Sequence, residues 1–109
     1  MTYNEKLAER VRNTLAGLKG LTEKKMFGGI SFMLNGKMCC GVVKEDLVVR
    51  VGPERYEEAL AEPYVRPMDF TGRPLRGFVF VSPPGYQTNE ALANWVGRAA
   101  HFVTSLSKK

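Results

Sequence analysis

Cys39 and Cys40 are the side chains here with the most obvious capacity for chemistry, since a thiolate is both a nucleophile and a soft metal ligand. They are the chain's two cysteines, and they are adjacent. Neighbouring cysteines can join only in a strained small ring, so they supply no disulfide framework, which favours a reducing compartment. On a strand, adjacent residues face opposite ways, so the pair is not set to grip one metal ion. A zinc site normally takes four ligands at spacings such as C-x₂-C, and the sequence adds a single histidine, His101. Reactive thiols also need an electropositive, partly open setting. Beside Phe32 and Met38, both cysteines read as small core residues. A cysteine-based redox protein is the lesser alternative.

The other candidates are thinner. His101 falls on a helix face with Asn94, Gly97, Arg98 and Ser105, with no carboxylate or cysteine placed near it, and reads as solvent-facing. Glu57 and Glu58 occupy adjacent helix positions and Glu45-Asp46 a tight turn, so neither pair is arranged for acid–base work. No GxGxxG, Walker, HExxH or GxSxG pattern occurs. Gly28-Gly29 precedes a strand rather than a helix, so it lacks the helix N-terminus of a phosphate cradle. A bulge or a close backbone contact explains it better. The expectation is a protein that is not an enzyme and has no catalytic, cofactor-binding or metal-binding residues.

Charge admits a different class of partner. The net charge is +5 and the isoelectric point about 9.4. Residues 1–25 hold six basic and three acidic side chains. Farther along, Arg66, Arg73 and Arg76 cluster around Asp69. Lys24, Lys25, Arg66, Arg73 and Arg76 are therefore the candidate surface for nucleic acid or an acidic partner. Arg76-Gly77-Phe78-Val79-Phe80-Val81 resembles the RNP1 signature of RNA-recognition motifs, whose aromatics stack on bases. The likeness is incomplete. Pro83 stands at the last aromatic position, Val79 replaces the small residue, and the strand required after the final helix is missing. The favoured reading is a core strand with Phe78 and Phe80 packed inward.

These residues need a scaffold, and its elements are legible. Thr2 and Glu5 form a capping box, and Leu7, Val11, Leu15 and Leu18 recur at helical spacing, so a helix is expected over 3–18 with Gly20 as its stop. A linker with Lys24 and Lys25 follows. Strands 30–34 and 38–43 flank Asn35-Gly36, the strongest short hairpin signal, and 47–51 completes a three-stranded meander. The two-residue turn pairs Leu34 with Lys37, Met33 with Met38 and Phe32 with Cys39, which leaves both faces of the hairpin partly apolar. Helices on one face and a second subunit on the other would bury both; so would a helix on each. Pro53 opens a short helix, Pro63 and Pro67 lead into a loop, and 78–81 is a strand. Thr88 or Asn89 caps a last helix whose stripe is Leu92, Trp95, Val96, Ala99, Phe102, Val103 and Leu106. The fold class is α+β, one domain over 1–109, in the order α-β-β-β-α-β-α, with the antiparallel sheet packed by the terminal helices. No apolar run reaches the ~18 residues of a spanning helix, so a cytoplasmic protein with no membrane contact is expected.

Met26-Phe27-Gly28-Gly29, the Asn35-Gly36 hairpin, a strand ending in Arg50-Val51, Pro67-Met68, Gly72-Arg73 and the closing amphipathic helix follow one another along the chain. From Met26 onward this pattern resembles the N-terminal domain of the TfoX/Sxy family of bacterial competence regulators. The matching features together cover about residues 5–106. The resemblance implies a fold similar to secretion chaperones and a role in transcription regulation through protein contacts. It brings no catalytic residues. Full-length regulators carry a second, C-terminal domain, so a copy ending at Lys109 is expected to stand alone.

The leading expectation is thus a regulatory protein-interaction domain that dimerises through its second sheet face, with the transcription machinery as a protein partner. A nucleic-acid-binding domain with a basic loop surface is the alternative.

Overall fold

In the computed structural model, residues 3–26, 28–69 and 74–107 are described. The first helix, α1, spans Glu5–Leu15. The expected cap, Thr2, lies outside the described residues. Asn4 holds the cap position, and its side-chain oxygen accepts a hydrogen bond from the Leu7 amide at 3.0 Å. Asparagine is among the best residues there because its short side chain satisfies an orphaned amide. The helix stops three residues early, since Ala16 leaves helical geometry and Gly17 turns left-handed at φ 96°. Leu18 is consequently 42% exposed and does not join Leu7, Val11 and Leu15 in the core.

The expected linker is a strand. Strand β1 (Leu21–Met26) pairs antiparallel with β2 (Gly29–Leu34). Its polar sequence, Thr22-Glu23-Lys24-Lys25, hides it from a hydrophobicity reading because it lies at the sheet's edge, where charged side chains deter unwanted pairing. Asn35 and Gly36, at φ 52° and 79°, make the expected turn into β3 (Lys37–Val43), and β4 (Asp46–Arg50) completes the meander. After a 3₁₀ turn at Pro53–Arg55 comes the short helix α2 (Tyr56–Leu60). The expected loop beyond it contains β5 (Val65–Asp69), and the next strand, β6 (Pro74–Val81), is longer than expected. Pro67 is tolerated in β5 because that strand is the opposite edge. The final helix, α3 (Asn89–Ser107), begins where the Thr88 hydroxyl accepts from the Ala91 amide at 3.0 Å.

Among the described residues the sheet has six strands in the order β1-β2-β3-β4-β6-β5, every neighbouring pair antiparallel. The architecture is α+β as expected, with two more strands than the sequence suggested. Cross-strand partners share a face. One row of partners reads Lys25, Ile30, Val42, Leu47, Val81 and Val65 across the whole sheet, and a second contains Phe32, Cys40, Val49 and Val79. These rows form one continuous core with Leu7, Val11 and Leu15 of α1, Tyr56 and Ala59 of α2, and Leu92, Trp95, Val96, Ala99 and Val103 of α3. All three described helices therefore cover the same face.

Two expectations about the strands are corrected. Phe32 pairs with Cys40, not Cys39, because β3 bulges while Met33–Met38 and Leu34–Lys37 pair as expected. Phe78 and Phe80 do not point inward. Val79 and Val81 occupy the core side of β6, and the phenylalanines lie on the other. The register is set by β4, whose Leu47 and Val49 must face the helices and oppose Val81 and Val79. None of the described helices is long and apolar enough to cross a membrane.

Candidate binding face

The face turned away from the helices is crossed by one unbroken row of partners: Lys24, Ser31, Gly41, Val48, Phe80 and Arg66, one from each strand. Its centre is small and closed. Val48 is 0% and Ser31 2% exposed, although no described helix lies above them. Gly41 has to be glycine, since a Cβ there would come 2.6 Å from the Ile30 carbonyl oxygen. Met33, Val43, Phe78 and Phe80 remain half-buried around this centre.

Arginines dress the aromatic side of the face. Arg66 lies 5.2 Å over the Phe80 ring and is held by Asp46 at 2.7 Å and by the Ser82 hydroxyl at 2.8 Å. Arg50 sits at the sheet's end, 5.4 Å from both the Phe78 and the Phe102 rings, and donates to the Met38 carbonyl at 3.3 Å. A guanidinium over a ring gains cation–π attraction, while the Arg66 donors are taken up by Asp46 and Ser82 and one Arg50 donor by the Met38 carbonyl.

The basic residues singled out in the sequence do not form one loop patch. Lys24 and Arg66 share this face but lie on opposite edge strands, separated by five inter-strand gaps of ~4.8 Å, or ~24 Å. Lys25 alternates to the helix-covered side. Arg76 belongs to β6 by its backbone, while Arg73 lies outside the described residues. Of Met26-Phe27-Gly28-Gly29, Met26 ends β1, Phe27 lies outside the described residues, Gly28 turns at φ 74° and Gly29 starts β2. A Cβ on Gly29 would approach the Val42 carbonyl oxygen to 2.0 Å, so the close-contact reading holds for Gly29, whereas Gly28 has open space around it and is needed for its positive φ.

The bulge also changes the cysteines. The alternation expected of adjacent strand residues fails at Cys39, and both side chains enter the core, each 0% exposed. They share a hydrogen bond. That bond, together with complete burial, pushes the Cys40 thiol well above its ordinary range. His101 is exposed on α3, at a cavity of about 290 Å³ against α2. Glu54 and Glu58 line the same cavity, which the sequence spacing could not show. Its Arg98 is already held by Glu62 at 2.5 Å and stacked 4.4 Å from Trp95. Among the described residues no group of three or more His, Cys, Asp or Glu side chains is placed to hold a metal ion.

The residues of this candidate face that the sequence does not reveal are Phe78 and Phe80 as surface groups, with Ser31, Gly41 and Val48 between them and β1. The available signal was the alternation Phe-Val-Phe-Val in β6. It reveals two faces without saying which one is inside.

No curated protein and no solved structure is similar enough to match the chain. A family model described as the TfoX N-terminal domain matches residues 13–103. That span runs from within α1 to the last turns of α3 and includes every strand of the sheet. By this match the chain belongs to the TfoX N-terminal domain family.

Proposed function

We propose that residues 1–109 act as one non-enzymatic regulatory domain of the TfoX type, working by contact with another macromolecule through the helix-free face of the sheet. The observation that carries this reading is the one-sided architecture: every described helix packs on the same face, leaving Met33, Val43, Phe78 and Phe80 half-buried on the other. Aromatic and methionine side chains framed by arginine are the composition of a binding surface. Family membership supports a role in transcription regulation through such contacts. The buried thiols and the paired arginines leave little that is chemically reactive on the described surface, which favours binding over catalysis.

The test is complementation of a deletion strain, read by transcript profiling. Wild type and Ala93→Glu, on the exposed side of α3, should restore the profile. Val43→Glu, with its fold verified by circular dichroism, should not. Equal restoration by all three would overturn the choice of face. A deletion that leaves transcripts unchanged would overturn the regulatory role.

A further inference from the structure

Apart from the helix-free face, we infer that the outer edge of β1 is a strand-addition site that takes an extended acidic segment of a protein partner. The backbone supplies the first observation. β1 is a terminal strand of the sheet, with a neighbour on one side only among the described residues. The Asn35 amide donates to the Gly20 carbonyl at 3.0 Å, so these two residues form a hydrogen-bonded pair at the head of the β1–β2 ladder. Such pairs alternate along antiparallel strands. Thr22, Lys24 and Met26 therefore turn their amides and carbonyls to β2, while Leu21, Glu23 and Lys25 turn theirs outward. A row of outward backbone groups is a template on which another strand can pair.

The second observation is that the two edges of the sheet differ. On β5, Pro67 lacks an amide and the register breaks between Pro67 and Asp69, two devices that discourage a further strand. β1 has neither. It contains no proline and keeps unbroken register from Leu21 to Met26. Charge is what guards it.

That charge selects the occupant. Lys24 and Lys25 are exposed, and no described carboxylate pairs with either. Glu23 is already held by Arg12 through both oxygens, at 2.6 Å and 2.9 Å. Lys24 and Lys25 alternate to opposite sides of the sheet, so an added strand meets an ammonium on each of its faces. Two adjacent carboxylates in that strand alternate in the same way and oppose both. A second copy fits badly. Paired antiparallel about a two-fold axis, it must oppose residues of the same face, and its two longest registers set Glu23 against Glu23 or Lys24 against Lys24. Like charges directly opposite are destabilising. A nucleic acid strand answers the lysines but brings no amides to complete the ladder, and an acidic helix has its backbone groups already spent.

The probe is a fluorescein-labelled ten-residue peptide of valine and threonine with two adjacent glutamates at its centre. Anisotropy compares it with its lysine-for-glutamate counterpart and with a single-stranded oligonucleotide. The acidic peptide should bind most tightly, and amide hydrogen exchange read by NMR should show new protection at Glu23 and Lys25, with Thr22 and Lys24 unchanged. Lys25→Gln should weaken binding about threefold. Lys25→Pro also removes an outward amide, which an edge strand tolerates, and should weaken binding about tenfold. Trp95 fluorescence checks the fold of both variants; if Lys25→Pro does not fold, the exchange pattern of the wild type decides. Absent binding at millimolar peptide would overturn the inference. So would equal affinity for the basic peptide or the oligonucleotide, equal losses in folded Lys25→Gln and Lys25→Pro, or binding without protection at Glu23 and Lys25. Protection of those two amides in concentrated protein without peptide would assign the edge to a second copy and overturn it too. The helix-free face is judged separately, by complementation with Val43→Glu.

Discussion

Cys39 and Cys40 are the residues at which chemistry was most open to expectation, and burial decides against reactivity. A thiol attacks as its thiolate, which needs an electropositive and accessible setting. Both side chains are 0% exposed; their shared hydrogen bond and burial disfavour the Cys40 thiolate, while the same bond lowers the pKa of the Cys39 thiol, so inaccessibility is what protects Cys39. Native protein should therefore resist a thiol-specific chromogenic reagent, with labelling that follows global unfolding as denaturant is added. Stoichiometric labelling within seconds in native buffer would return the cysteines to the list of functional groups. Tyr86 makes a second prediction at this scale. Its hydroxyl donates to the Glu45 carbonyl at 2.5 Å and ties the start of α3 to the β3–β4 turn. Burial, with help from the Glu45 and Asp46 charges, pushes its pKa up to about 12 from an ordinary 10. Because the folded pKa is the higher one, the stabilisation is complete below about pH 10 and is lost as pH rises toward 12. Tyr86→Phe should cost about 1 kcal/mol near neutral pH and should flatten the alkaline loss of stability in urea unfolding compared between pH 8 and 11. An unchanged alkaline slope would show that Tyr86 is not its source.

At the scale of elements, the strands divide sharply in what they contribute. Phe32 on β2 is fully buried beneath α1, with the Arg12 guanidinium 5.9 Å from its ring, whereas Phe80 on β6 looks away from every described helix. Phe32→Ala should lose about 3–5 kcal/mol, while Phe80→Ala should lose about 1 kcal/mol or less. Chemical denaturation of the two variants tests the assignment of faces directly, and equal losses would contradict it. Gly41→Val should also destabilise strongly, because its first carbon would meet the Ile30 carbonyl. The contrast explains how far the sequence could be read. Helix periodicity, the Asn35-Gly36 turn and the meander were visible because each is encoded locally. Strand β1 was not, since an edge strand of Thr, Glu and Lys carries no hydrophobic alternation. Strand β5 was hidden by Pro67, which is acceptable only at an edge. The orientation of β6 depends on its pairing with β4, a contact between segments some thirty residues apart. No local pattern contains it, so the aromatics that form the candidate surface were assigned to the core. The basic residues were found one by one, but their separation across the sheet follows from strand order.

For the molecule as a whole, one-sidedness matters most. A sheet with helices on one side must do something with the other. This one has Ser31, Gly41 and Val48 buried at its centre, with aromatics and cations around the margin. Such a surface combines the apolar and charged groups that binding surfaces use. The family match places this arrangement in the TfoX N-terminal domain family. The most direct test of the central claim is site-specific photo-crosslinking in the host cell. A benzophenone side chain is placed in turn at Met33 and Val43 on the open face, and at Thr14, Ala93 and Thr104 on the exposed helical side. The account predicts discrete adducts, to nucleic acid or to protein, from the open-face positions and none from the helical ones. Adducts that form from the helical side while Met33 and Val43 stay silent would contradict it.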